Sequence, residues 1–341
     1  MATTTERPAP GPMTFAVLRL LADGAFHSGE MLAQRLGISR TSVNNALRGL
    51  AHYGLTLHSV RGRGYRLVNS PQWLDTQAIA RHLGDQAASF HLEIRDGAPS
   101  SNTELLQRAR QDANLPSGSV LALEWQSAGR GRLGRTWLSG LGNALTFSLL
   151  WRFAGGLSTL SGLSLAAGVA VIRALRRLGI EGAQLKWPND VLGNNGKLAG
   201  ILIEAQGDML GPCAVVIGIG INLEMPPAMP ERIGQAVTCL ADLTTEPPDR
   251  NRLLALLLRE LGNVLHDFAA TGFAGLRSEW ESYHGLQDQV VQLLLPDGAT
   301  LPGIALGVTD DGALRLETNQ GMKIFNAGEI SLRRSGRHAA D

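Results

Sequence analysis

Gly129-Arg130-Gly131-Arg132-Leu133-Gly134-Arg135-Thr136-Trp137 is the stretch from which the rest of the chain is read. Three glycines alternate with three arginines, and the run closes on a tryptophan. Glycine lets a backbone turn freely and pass close to a ligand. Arginine presents a planar fork of donors matched to carboxylate or phosphate. Strand-like runs flank the stretch, Ser119 to Gln126 before it and Ala144 to Phe153 after it. A mobile cationic loop between two strands suits closure over an anionic ligand. Taken alone, it equally fits a solvated basic loop or one that touches nucleic acid.

Working outward, the flanking pattern mixes strands with helices. Ser101 or Asn102 caps a helix to Arg110, and Thr159 to Leu178 reads as a long apolar helix. Gln184 to Trp187, Leu198 to Ala205 and Ala214 to Leu223 are strands, and Asn251 to Phe268 is an amphipathic helix. This predicts an α/β or α+β domain around a large sheet. In Lys186-Trp187-Pro188-Asn189-Asp190, Trp-Pro demands extended chain and Asn-Asp opens a tight turn. Lys186 could hold phosphate there, and Asp190 could help to hold a Mg²⁺ ion; an ordinary hairpin corner fits as well. Lys197 heads an apolar strand, either as a snorkelling surface residue or as a bridge between two anions.

Familiar phosphate motifs fail. Gly193 to Leu198 has the wrong glycine spacing for a P-loop and no Ser or Thr after Lys197. Gly218-Ile219-Gly220-Ile221-Asn222 lacks the third glycine of a dinucleotide fingerprint. The eight histidines are scattered, and no Ser-His-Asp, Cys-His or metal-ligand cluster declares itself. The chemistry is therefore assigned to cationic loops.

Toward the N-terminus the chain changes character. Apolar positions at helical spacing, Ser28 before Gly29 to Leu36, Gly37 as a stop and Ser39 as the next cap describe a helix-turn-helix. The segment Leu55 to Leu67, with Arg61-Gly62-Arg63-Gly64 at its tip, adds the hairpin of a winged helix. Between Glu30 and Asp75 there is no acidic side chain, while Arg35, Arg40, Arg48, Arg61, Arg63 and Arg66 all fall inside that interval. Ser39, Arg40, Thr41, Ser42, Asn44, Asn45 and Arg48 are the candidate DNA-reading residues, and Arg61 and Arg63 the candidate phosphate contacts of the wing. Net charge is only +1 over 341 residues, so this local charge, not the whole molecule, carries the nucleic-acid expectation. Cys213 and Cys239 form no disulfide framework, and no apolar run reaches membrane-spanning length, which together predict a soluble cytoplasmic protein. The expected division is a disordered tail over 1–13, a winged helix over 14–70, a catalytic domain over 71–285 and a small β-domain over 286–334.

Ser100-Ser101-Asn102, Gln126, Gly129 to Trp137, Lys186 to Asp190, Lys197 to Glu204 and Gly218 to Asn222 together resemble the biotin protein ligases in order and spacing. With the winged helix, the chain looks like the bifunctional type, the biotin operon repressor. The resemblance runs from about residue 14 to residue 333. It implies a central class II synthetase-like domain, an SH3-like C-terminal β-barrel, and ATP and biotin as substrates with Mg²⁺. It further implies a biotin carboxyl carrier protein as acceptor, operator DNA as a second partner, and a ligand-promoted homodimer. By the same resemblance Lys197, Arg132 and Arg130 are catalytic, and Ser100, Ser101, Asn102, Gln126, Gly131 and Gly200 surround biotin with them. Arg132, Arg135, Trp137, Lys186, Asn189, Asp190, Asn222 and Arg333 would face the nucleotide, with Glu329 in the same closing motif as Arg333. Two other expectations stay open: a lipoate ligase, which shares the fold, and a ligand-sensing transcription factor with an inactive synthetase-like domain.

Overall fold

The computed structural model describes residues 10–194, 196–226, 229–295, 298–326 and the backbone of 331–334. Glu329 and the side chain of Arg333 lie outside the described residues.

Helices α1 (Pro12–Leu20), α2 (Gly29–Leu36) and α3 (Arg40–Leu47) pack before a short antiparallel hairpin of β1 (Leu57–Val60) and β2 (Gly64–Leu67). The expected caps form. Ser28 and Ser39 accept hydrogen bonds from Met31 N and Ser42 N, and Gly37 closes α2 at φ 64°. Ser39, Arg40, Thr41, Asn44, Asn45, Arg48, Arg61 and Arg63 are exposed and Ser42 is half-buried, while Val43, Ala46 and Leu47 turn inward.

The chain continues through α4 (Thr76–Leu83), β3 (His91–Ala98), α5 (Ser101–Gln111), β4 (Ser119–Gln126), β5 (Ala144–Phe153) and α6 (Leu163–Arg176). Next come β6 (Ala183–Lys186), β7 (Asp190–Gly193), β8 (Gly196–Gly207), β9 (Cys213–Asn222), α7 (Met229–Ile233), α8 (Arg250–Thr271) and α9 (Arg277–Tyr283). The seven strands β3 to β9 form one sheet in the order β3-β4-β5-β9-β8-β7-β6, parallel only between β3 and β4. Helices α4, α6 and α8 cover one face with the main apolar core. On the other face α5 packs its apolar side on Leu150, Ala214 and Val216 and the winged helix packs on Trp125, and the part of the face between and beyond them forms the site. Two local expectations shift. The α5 cap falls on Ser100, whose side chain accepts from Thr103 N, so Ser101 and Asn102 occupy the first turn. Helix α6 starts at Leu163 rather than Thr159, because Gly162 sits at φ 80° against the Phe273 ring, where a Cβ would lie 2.5 Å from Phe273.

Strands β10 (Val290–Leu294), β11 (Thr300–Val308), β12 (Leu314–Thr318), β13 (Gly321–Phe325) and β14 (Ser331–Arg334) make a second, antiparallel sheet. Its inner residues Val291, Leu293, Ala305, Val308, Leu314 and Leu316 join the main core. The fully buried Trp187 donates its indole N–H to Gly312 O at 3.1 Å, pinning the β11–β12 turn to the corner between β6 and β7.

The winged helix is docked rather than tethered. Its core continues into Trp125 of β4 and Leu141, with Tyr53 edge-on to Trp125 at 5.7 Å and Leu141 N donating to Tyr53 O at 2.8 Å. The connecting segment is held by a buried ion pair: Arg250 lies 2.8 Å from Glu124, also donates to Gln72 O, and Glu124 accepts from Leu74 N. Burying such a pair is tolerable because its remaining donors and acceptors are largely satisfied by backbone.

Candidate functional site

Cross-strand register builds the site floor. Lys186, Asp190, Gly200, Gly220 and Thr146 stand opposite one another on five successive strands, so they share one face. The next row on that face is Leu202, Gly218 and Ser148. The glycines that failed as a dinucleotide fingerprint are flat floor. A Cβ on Gly220 would lie 2.5 Å from the Trp137 ring, and one on Gly218 would lie 2.2 Å from Asn102 Oδ1.

Alternation alone would send Lys197 to the core face with Ala199, two residues on. A β-bulge prevents it: Ala199 pairs with Val191 but Lys197 pairs with Leu192, leaving Leu198 as the extra residue. Lys197 is thereby turned onto the site face, where its Nζ lies 2.6 Å from Asp190 Oδ1 and 5.9 Å from the Trp137 ring centre. Lys186 Nζ is 3.7 Å from the other Asp190 oxygen. The backbone of Lys197 is stitched to Ala236 O and Thr238 N at 3.0 and 3.1 Å. Asn222, expected beside the nucleotide, sits behind the cavity wall and ties Lys197 O to Thr238 O through its amide NH₂.

The arginine stretch, expected to be mobile, is folded as a tight turn. Arg130 bridges Thr136, Gly131 N donates to Arg135 O at 2.7 Å, and Trp137 N donates to Gly129 O at 2.8 Å. Gly129 is required where Trp137 O would meet a Cβ at 2.5 Å. The turn reverses through Leu133 at φ 56° and Gly134 at φ 70°. Arg132 points inward and donates to Asn189 Oδ1 at 3.2 Å. Burial holds its guanidinium below the ordinary value, with Asp190 opposing and Arg135 adding to the effect. A half-buried cation of this kind gains from an incoming anion.

Strand and loop enclose a cavity of about 1240 Å³ lined by Ser100, Ser101, Asn102, Gln126, Arg130, Gly131, Arg132, Arg135, Trp137, Lys186, Asn189, Asp190, Lys197 and Gly200. One end presents the short polar groups of Ser101, Asn102 and Gln126: Gln126 Oε1 accepts from Ser101 N at 2.9 Å, and the fully buried Ser148 backs them, its Oγ 2.7 Å from both Ser101 Oγ and Asn102 Oδ1. The other end gathers Arg132, Lys186 and Lys197 around the carboxylate of Asp190, with Arg135 exposed at the rim. Sequence reasoning missed Ser148, which supports Ser101 and Asn102 from beneath the cavity wall, has no motif around it and is revealed only by its register with Gly218. It also missed Arg232, which reaches the cavity rim from α7. No cluster of three metal-ligating side chains occurs among the described residues, and no described helix is long and apolar enough to cross a membrane.

Comparison with known proteins gives these features a context. Residues 98–222 match the Biotin/lipoate A/B protein ligase family, 288–333 the Biotin protein ligase C terminal domain, and 14–66 an HTH domain. The chain is similar to the biotin protein ligase of Aquifex aeolicus solved in complex with biotin and ATP, at 31% identity and TM-score 0.61, covering 72% of this chain and 99% of that one. It is 35% identical to the biotin–[acetyl-CoA-carboxylase] ligase of Mycobacterium tuberculosis over 75% of this chain and 95% of that protein. It is 38% identical to the bifunctional ligase/repressor BirA of Escherichia coli over 93% of this chain and 96% of that protein. The likeness thus extends past the synthetase core to include the winged helix, and the chain belongs to the biotin protein ligase family in its bifunctional ligase/repressor form.

Proposed function

We infer that the chain joins biotin to ATP, giving biotinyl-5′-AMP and pyrophosphate, and then passes the biotinyl group to a lysine of a biotin carboxyl carrier protein. The carrying observation is a single cavity with a neutral hydrogen-bonding end at Ser101, Asn102 and Gln126, backed by the buried Ser148, and a cationic end at Arg132, Lys186 and Lys197. Short hydroxyl and amide groups suit the ureido ring of biotin. The cationic end suits a carboxylate and a polyphosphate, which repel each other until cations converge on both.

In the first step a biotin carboxylate oxygen bonds to the α-phosphorus as the bond to the pyrophosphate oxygen breaks. Lys197, at the head of β8, stabilises the charge shared by the carboxylate and the α-phosphate. Arg132 and Lys186 neutralise phosphate oxygens, with Arg135, Asn189 and Trp137 on the nucleotide side of the cavity. In the second step the acceptor amine bonds to the biotinyl carbon and AMP leaves. The turn carrying Arg130 to Arg135 excludes water from the anhydride. Mg²⁺ keeps most of its ligands as water and phosphate oxygen, so an ion held mainly by the nucleotide would need at most Asp190 from the protein, whose oxygens here face Lys197 and Lys186, and would offset phosphate charge.

The winged helix makes operator DNA the second partner, with the exposed face of α3 toward base edges and Arg61 and Arg63 toward phosphates. Ligand-promoted pairing of two chains would set two winged helices on a palindromic site, in the cytoplasm where the carrier protein and DNA are met. Sedimentation with and without biotin and ATP tests the pairing; equal monomer fractions would sink it.

The activity is tested by exchange of pyrophosphate into ATP with biotin, with lipoate as the control acid, on the wild type and on Lys197→Ala. Biotin-dependent exchange that drops by about a hundredfold or more in the variant is expected. Exchange with lipoate alone would reassign the acid, and no exchange with either would leave a sensor domain.

A further inference from the structure

One carboxylate at the edge of the cavity has no part in the reaction just described. Glu204 stands on β8 in register with Val216, where the apolar contact of α5 with the sheet ends. Its Oε1 lies 2.9 Å from the Arg130 guanidinium and its Oε2 3.2 Å from the same nitrogen. That same Oε2 accepts from Asn102 Nδ2 at 2.9 Å. Arg130 also donates to Thr103 Oγ1 at 3.2 Å. The Glu204 side chain is 19% exposed and that of Arg130 is 47% exposed, so the pair closes the cavity at its rim rather than in the core.

We propose that Glu204 is a positioning residue that latches the arginine turn shut over the biotin end and fixes the orientation of the Asn102 amide in the same act. The inference rests on the assignment of this cavity to biotin and ATP. The mechanical part follows from the turn. Arg130 is bridged to Thr136, and Gly129 is pressed against Trp137 O, so anchoring the Arg130 side chain on β8 anchors the whole turn. The orienting part follows from donor and acceptor roles. A carboxylate oxygen paired with a guanidinium accepts, so it selects the NH₂ edge of Asn102, which Leu202 O also faces at 3.4 Å, and Oδ1 is left to the Ser148 hydroxyl at 2.7 Å. Gly218 leaves no room for the amide to tilt away without cost, since a Cβ there would already touch Oδ1. Breaking the latch releases the turn and leaves the amide held only by Leu202 O and the Ser148 hydroxyl.

The test uses the full-length protein with biotin as the probe. Glu204→Gln keeps the shape and removes the charge, and Arg130→Gln breaks the pair from the exposed side. Each variant should release bound biotin about tenfold faster than the wild type. In each, trypsin should cut the biotin-bound turn sooner after its arginines. The double variant should be little worse than either single one, because all three lose the same interaction. Glu204→Asp should recover part of the wild-type retention. Unchanged release and cleavage in Glu204→Gln, or effects that simply add in the double variant, would overturn the latch. A wild-type protein that neither binds biotin nor exchanges pyrophosphate would overturn the assignment of the cavity instead.

Discussion

The cavity holds positive charge in two ways, on strands and on a turn. Lys186 and Lys197 stand on β6 and β8, where their positions follow from register with Asp190 and Gly200. Arg130, Arg132 and Arg135 stand on nine residues closed by short-range backbone bonds and by side-chain contacts such as Arg130 with Glu204 and Arg132 with Asn189. Ladder bonds of a seven-stranded sheet fix the first set before any ligand arrives. The second set depends on a few local bonds, so it is the part that can open to admit substrate and close to exclude water. The difference teaches where each mutation should register: strand changes should alter chemistry, and turn changes should alter retention.

The sharpest way to break this division is at the point where the two halves touch. Gly220→Ala places a methyl within 2.5 Å of the Trp137 ring and should displace the end of the turn from the floor. Overpacking of this kind costs about 1–3 kcal/mol, so exchange activity should fall by about tenfold to a hundredfold while circular dichroism stays native. Wild-type activity in this variant would mean that Trp137 does not need the floor.

A second prediction concerns what supports the strand-held half. His284 bridges Leu185, the residue before Lys186, and its ring lies 4.6 Å from that of Trp280. Burial pushes its pKa down to about 4 from an ordinary 6.5. The unfolded chain therefore takes up the proton first, so stability is full above about pH 6.5 and declines as pH falls toward 4. At ~1.4 kcal/mol per pH unit the loss reaches roughly 3 kcal/mol at the bottom of that window. Urea titrations at pH 7 and 4.5 should show it, and His284→Gln should narrow the gap; an equal gap in the variant would place the acid sensitivity elsewhere.

The smallest effect is expected on the turn itself. Arg135 is exposed at the cavity rim, so Arg135→Ala should raise the KM for ATP severalfold and leave the fold intact. A collapse of kcat with an unchanged KM would move Arg135 from the rim to the reacting centre.

Much of this was legible from residues alone, wherever the cause is local. Ser28, Ser39 and Gly37 place the helix-turn-helix because caps and left-handed stops act within a few residues. The glycine–arginine stretch and the Lys-Trp-Pro-Asn-Asp corner were legible as site elements because both pack charge and turn chemistry into a short run. The cap of α5 and the start of α6 moved by a few residues because Ser100 was already extended and Gly162 was held by Phe273, a residue more than a hundred positions away.

The sequence by itself thus determined which elements form and which side chains could do the chemistry, since helix caps, turns and charge patterns are short-range. Only the tertiary structure decided which way those side chains face. The bulge at Leu198 turns Lys197 from the core to the cavity. The row from Lys186 to Thr146 makes Gly200 and Gly220 into floor. Ser148, Asn102 and Glu204 meet although they are 46 and 102 positions apart along the chain. Strand register is set by partners across the sheet, and a shift of one residue sends every side chain to the opposite face.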